Sequence, residues 1–278
     1  MGESATAPRA TLIGVVAGVL LVSAVSWGQA APTPPTAAAS PRPSSPVPAP
    51  MPTPAPSTTA SPSATTTTST RVLPRPPVVR TPVPATPGRL APVYSRLPIA
   101  EKVIFLGIDD GMVRDPAVLY RLAALDIPFT AFLTMGPAQE DPAYWRRAVL
   151  AGGEIQSHTL THPDLTQVSA ATLRNEMCGT LGPYEAMFGR RPTLFRPPFG
   201  KSNDALRRQV AECGYEGVIL WKGSTNNGRL TMQEGPLQAG DILLLHWRDT
   251  LRDDIDDVVA RCRQEGFTIG RLEDYLPT

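Results

Sequence analysis

The chain has 278 residues, of which 26 are basic, 25 acidic and three cysteine, with 42% hydrophobic side chains. A formal charge of +1 leaves no overall basic excess of the kind nucleic-acid binding draws on, and three cysteines exclude a disulfide-dense scaffold. The near-zero total conceals a division, because 19 basic and 24 acidic residues lie from residue 101 onward, whereas residues 31–100 hold six arginines and no acid.

Thr11 to Trp27 carries no charge, follows Arg9 and precedes Gly28-Gln29-Ala30, a small-x-small pattern. Residues 1–30 are therefore expected to be an export signal cleaved after about Ala30, or a membrane anchor through residues 11–27; the length of the stretch suits either reading. Both place the protein outside the cytoplasm, secreted or held at membrane or cell wall. Twenty of the 32 prolines fall between Pro32 and Pro98. A Pro/Thr/Ser/Ala composition buries too little apolar surface to offset chain entropy, so residues 31–100 are expected to be a disordered spacer and residues 101–278 the one folded, catalytic domain.

Within that domain, short apolar runs at Val103 to Ile108, Phe129 to Leu133, Glu154 to Gln156, Thr193 to Phe195, Gly217 to Leu220, Ile242 to Leu245 and Phe267 to Ile269 predict strands. Helical patterns lie between them, at Pro116 to Leu125, Pro142 to Leu150, Ala170 to Phe188, Asn203 to Cys213 and Leu251 to Gln264. Such alternation implies an α/β fold with a parallel sheet. Polar clusters after at least five different strands favour a shortened, seven-stranded (β/α) barrel over an open doubly wound sheet. Cys262 shares an apolar helical face with Ile255, Val258 and Val259 and reads as a free buried thiol, which leaves Cys178 and Cys213 as the candidate disulfide.

The chemistry-bearing residues follow these strands in order. Asp109 and Asp110 end the first; two adjacent carboxylates repel, and stay ionised together only if cations hold them. His158 and His162, four apart, share a face if their turn is helical, and two neutral imidazoles with the Asp110 carboxylate make a catalytic-type set for Zn²⁺. Arg196, in Phe195-Arg196-Pro197-Pro198-Phe199-Gly200, is a partner able to hold Asp109 ionised. His246 closes Ile242 to Leu245, where a protonated imidazole is a general acid.

That ordered combination resembles the polysaccharide deacetylases, the NodB homology domain or carbohydrate esterase family 4, over about residues 102 to 275. The resemblance implies a distorted seven-stranded β/α barrel and a metal-dependent hydrolase that removes acetyl groups from glycans such as peptidoglycan, chitin or acetylated xylan. It implies Asp109 as base, Asp110, His158 and His162 as ligands of one divalent metal, most simply Zn²⁺, and Arg196 as the residue that holds the base. It also implies His246 as acid, the Phe199 N–H as oxyanion donor and Leu244 as the wall for the acetyl methyl. Trp247, beside His246, is the tryptophan expected to line the substrate site. The expected partner is an acetylated polysaccharide, bound by a monomer, with no nucleic acid.

Several positions depart from the family pattern. Trp221 is followed by Lys222-Gly223-Ser224-Thr225-Asn226-Asn227-Gly228, without the two carboxylates usual there. Gly107-Ile108 stands for the usual Thr-Phe, Phe199 for a frequent Tyr and Trp247 for a frequent Asp. Without the supporting acid, His246 is expected to be a weaker proton donor unless Asp241, Asp249 or another group substitutes. An O-acetyl esterase, whose leaving group needs less acid assistance, and a wall-tethered glycan-binding protein without turnover are the alternatives.

Overall fold

Six residues from Val103 to Ile108, none of them polar, suit a strand covered on both faces, and in the computed structural model, which describes residues 88–276, they lie at the heart of a ten-stranded sheet. The apolar segment 11–27 and most of the spacer lie outside the described residues. In chain order the elements are β1 (Val93–Tyr94), β2 (Val103–Asp110), α1 (Pro116–Ala124), β3 (Phe129–Leu133), α2 (Met135–Glu140), α3 (Pro142–Leu150), β4 (Gly153–Ser157), α4 (Ala170–Cys178), α5 (Leu181–Phe188), β5 (Leu194–Phe195), α6 (Asp204–Glu212), β6 (Gly217–Ile219), β7 (Gly223–Thr225), β8 (Leu230–Met232), β9 (Ile242–His246), α7 (Leu251–Glu265) and β10 (Thr268–Gly270). The sheet runs β1-β6-β5-β4-β3-β2-β9-β7-β8, with β10 on the first residues of β2, and every pairing is parallel except the β7–β8 hairpin. All seven predicted strands are present. The path ends at β1 and β8 without closing, so the barrel is a curved, open half-barrel.

Helix starts follow local chemistry. Asp115, Asp141, Ser169 and Asn203 each accept a hydrogen bond from a backbone N–H in the first turn of α1, α3, α4 and α6, and prolines 116 and 142 open α1 and α3. Such caps are worth about 1 kcal/mol each. The predicted helix from Ala170 to Phe188 is two. At the break, the Thr180 hydroxyl turns back to the Met177 carbonyl and also meets Ser157 Oγ and Tyr215 OH, a buried hydroxyl cluster that ties the start of α5 to the end of β4. Cys178 and Cys213 form a disulfide between the ends of α4 and α6. Cys262 is a free buried thiol, its pKa pushed up to about 12 by burial.

The fold also begins earlier than the composition implies. Ala91 and Leu97 are buried, and β1 pairs in parallel with β6, so residues 91–99, assigned to the spacer on proline content, are part of the sheet and core. Pro92 sits at this edge, where its carbonyl accepts from Val218 N–H and no N–H is required of it.

Strand alternation sorts the side chains. Ile104, Leu106 and Ile108 of β2, with Leu243 and Leu245 of β9, face the helix layer. Val103, Phe105 and, by the same alternation, Gly107 and Asp109 face the concave side, as do Phe132, Leu194 and Ile219. Apolar groups fill the concave bottom, and at the carboxyl ends of the strands the same face turns polar. The site stands there.

Candidate active site

Asp109, the penultimate residue of β2, lies on the concave face and is buried; the chain then turns left-handed at Asp110, φ 76°, and at Gly111, φ 96°. Plain alternation would send the Asp110 carboxylate to the helix side. The positive φ, which Asp tolerates better than most residues, aims it instead at the two histidines.

His158 follows β4 and is buried. Its Nδ1 lies 2.7 Å from the Arg196 carbonyl, which only accepts, so Nδ1 carries the proton and Nε2 is left with its lone pair. Burial lowers the pKa of His158, against the opposing pull of Asp109 and Asp110, and so favours the neutral ring that a metal requires. Nε2 of His158 and Nε2 of His162 each lie 3.5 Å from Asp110 Oδ1. The Asp110, His158 and His162 donor atoms all fall within 4.8 Å of one another, a fit to one small cation with positions left open. The turn between the histidines is not helical. Left-handed residues at Thr159 and His162, the latter N–H bonded to Thr159 Oγ1, bring the rings to 4.9 Å between centroids.

The sequence reading missed what braces this turn. Glu176, buried on α4, accepts from the N–H groups of Leu160 and Thr161 through Oε2 and from the Thr161 hydroxyl through Oε1. Its signal was a charged residue on the apolar face shared by Leu173 and Met177.

Arg196, fully buried after β5, donates from Nη1 to Asp109 Oδ1 at 2.7 Å and from Nε to the Ile219 carbonyl at 3.3 Å, with its guanidinium 4.1 Å above the Phe132 ring. One residue thus fixes Asp109 through its side chain and His158 through its backbone. In the 3-10 turn Pro198–Gly200, Phe199 has φ 61°, and its ring lies 5.0 Å from that of His162 and is 60% exposed.

His246 ends β9 in register with Asp109, across the site mouth from the histidine pair. Its buried Nδ1 has no hydrogen-bond partner among the described residues. Neither suggested substitute serves it. Asp241 lies at the other end of β9, paired with Arg96 and the Gln238 N–H, and Asp249 is exposed. The stretch that departs from the family pattern forms β7, where Ser224 stands beside Leu244, and the following loop is held by Arg248, which bonds the Thr225 carbonyl and Asp254. Leu244, buried, lies two residues before His246 on the same face. Trp247 does not line the site. One residue past His246 it faces the helix layer, 1% exposed, packed edge-on against Phe129, Tyr144 and Trp145, so it has no face to offer a sugar.

Residues 97–218 match the family model described as Polysaccharide deacetylase. An uncharacterized protein of Streptomyces coelicolor is 34% identical over 198 residues, which cover 68% of this chain and 78% of that protein. A peptidoglycan-N-acetylglucosamine deacetylase of Bacillus cereus is 30% identical over 161 residues, 54% of this chain and 75% of that one. The crystal structure of wild-type BA3943, a CE4 family pseudoenzyme from Bacillus anthracis, superposes with a TM-score of 0.59 at 21% identity, over 66% of this chain and 69% of that chain. This last likeness concerns the fold.

Proposed function

The chain belongs to the polysaccharide deacetylase family, and we propose that it is a metal-dependent hydrolase that removes acetyl groups from an N-acetylated cell-wall glycan, peptidoglycan in the first place. The observation that carries this reading is the meeting of Asp110, His158 and His162 donor atoms beside an Asp109 already held by Arg196. Two imidazoles and one carboxylate suit Zn²⁺, which when bound would polarise the acetyl carbonyl and acidify a water.

The chain's own residues do the rest. Asp109, its Oδ1 held by Arg196, keeps Oδ2 to take the proton from that water. The Phe199 N–H donates to the oxyanion, and the apolar side chain of Leu244 receives the methyl group. His246, facing Asp109 across β2 and β9, gives a proton to the leaving amine. The relative from Bacillus cereus, by its name a peptidoglycan-N-acetylglucosamine deacetylase, supports peptidoglycan as the glycan and an exported, wall-facing protein as its setting. No described helix is long and apolar enough to cross a membrane.

One observation favours a second reading. The unpartnered Nδ1 of His246 leaves the acid without the group that would raise its basicity, and an acetyl ester, with its better leaving group, needs that acid less. Acetate release by the zinc-loaded protein from N-acetylglucosamine oligomers, peptidoglycan and acetylated xylan, beside Asp109→Asn, decides between the two. Release from the first two that the substitution abolishes supports the N-deacetylase; release from xylan alone makes the protein an esterase. Zinc bound with no release from any of them overturns both and leaves a glycan-binding protein.

A further inference from the structure

Trp221 follows β6 at the mouth of the site and is half-buried. A tryptophan in that place invites a role as platform for a sugar ring, but its contacts lie inward. The edge of its six-membered ring rests on Gly200, where a Cβ would stand 2.7 Å from Cη2 and 3.2 and 3.3 Å from Cζ3 and Cζ2. The Arg196 guanidinium lies 5.8 Å from the centre of the Trp221 ring and 4.1 Å from that of Phe132, one of the apolar groups of the concave floor. Arg196 is thus fully buried although it stands beside an open mouth. The stretch of chain that covers it also tethers it, since the Ile219 carbonyl, two residues before Trp221, accepts from Nε at 3.3 Å. Nη1 is taken by Asp109, and Nη2 is buried with no hydrogen-bond partner among the described residues. A buried guanidinium with an unpaired N–H group is best stabilised by aromatic faces, of which that of tryptophan is the strongest.

We infer that Trp221 is a positioning residue for the hydrolysis proposed above: its ring covers the Arg196 guanidinium and keeps water from the bond that holds Asp109. A guanidinium–carboxylate bond is strong in a dry setting and weakens as water reaches it, because the effective dielectric rises. With the cover removed, the unpaired Nη2 turns to water, the 2.7 Å bond to Asp109 loosens and the base loses its aim. The three residues proposed to hold the cation have other braces, the Arg196 carbonyl and Glu176. Cation binding and base positioning therefore separate at Trp221.

The inference rests on the role assigned to Asp109, and variants of the full, zinc-loaded chain test it. Trp221→Leu is expected to keep zinc affinity and KM within about threefold while kcat for acetate release falls about 10- to 100-fold. Trp221→Phe, which keeps an aromatic face, is expected to lose less than about fivefold. A kcat for Trp221→Leu within about threefold of the parent overturns the inference, and with a raised KM it makes the ring a sugar platform instead. Equal losses of kcat in the leucine and phenylalanine variants overturn it too, because the aromatic face would then count for nothing. If Trp221→Leu does not fold, Trp221→Met, which fills more of the ring's volume, carries the same expectations. Failure of both to fold makes Trp221 a core residue and overturns the inference as well.

If the parent releases no acetate at all, the functional reading fails while the cover is still decided by NMR. The Arg196 Nε–H, assigned by its loss in Arg196→Lys, is expected to exchange with water at least about tenfold faster in Trp221→Leu than in the parent, and at close to the parent's rate in Trp221→Phe. An exchange rate that Trp221→Leu leaves unchanged overturns it.

Discussion

The two sides of the site mouth are built differently. On the side of β2, β4 and β5 the groups are braced: Asp109 has Arg196, His158 has the Arg196 carbonyl, and the turn that carries His162 has Glu176. On the β9 side His246 stands with Nδ1 buried and unpartnered, and the neighbouring loop spends its polar contacts on Arg248 and Asp254. Groups that hold a cation and a base must keep their geometry against mutual repulsion, which takes braces; a proton donor needs reach, and its strength matters according to the leaving group. Under the proposed function, the braced side defines the reaction class and the bare side tunes which substrates it serves.

If this comparison holds, the largest loss comes from the braced side. Asp109→Asn is expected to lower kcat by about 10⁴-fold on peptidoglycan fragments, toward the upper end of what acid–base groups contribute. Chelation of zinc should do as much, and activity should return on adding zinc back. His246→Asn is expected to cost less, about 10²-fold on an N-acetyl substrate and a smaller factor on an aryl acetate that needs little acid assistance. The comparison breaks if the two substitutions cost the same on both substrates, measured as kcat/KM side by side.

Glu176→Gln sharpens the comparison by removing a brace while leaving the ligands. A neutral amide keeps one acceptor for the Leu160 and Thr161 N–H groups but weakens it, and the Thr161 hydroxyl loses a charged partner. The expected result is a loss of about tenfold in zinc affinity by calorimetry, with KM for the glycan changed little. Zinc affinity equal to the parent's would show that the turn holds its left-handed residues without help.

How much of this was legible in the sequence follows from how local each signal is. Strand-end polar residues could be read, because an apolar run, a turn and a reactive side chain are contiguous, and Asp109, Asp110, His158, His162, Arg196 and His246 do converge. Partners that are distant in sequence could not. Glu176 reaches back to the histidine turn from the next helix. Proline content hid β1, because an edge strand tolerates what a central one does not. The reading of Trp247 failed on strand parity: its neighbour in sequence faces the site, so Trp247 itself must face away.

That parity gives the smallest catalytic effect and a sign that can be checked. Trp247 closes an aromatic cluster with Phe129, Tyr144 and Trp145, its ring 5.0 Å from that of Trp145, so replacing it trims the core behind the bare side of the mouth. Trp247→Phe keeps an aromatic ring but leaves a cavity the size of the lost ring atoms, a cost of about 1–3 kcal/mol, which lowers the midpoint of thermal unfolding by several degrees. Because the backbone of β9 stays paired with β2 along Phe105 to Asp109, His246 should hold its place, and kcat/KM on N-acetyl substrates is expected within about twofold of the parent. A variant of unchanged stability and raised KM would reverse the assignment: Trp247 would then meet the sugar, and the β9 side of the mouth would be a binding surface with its own anchor.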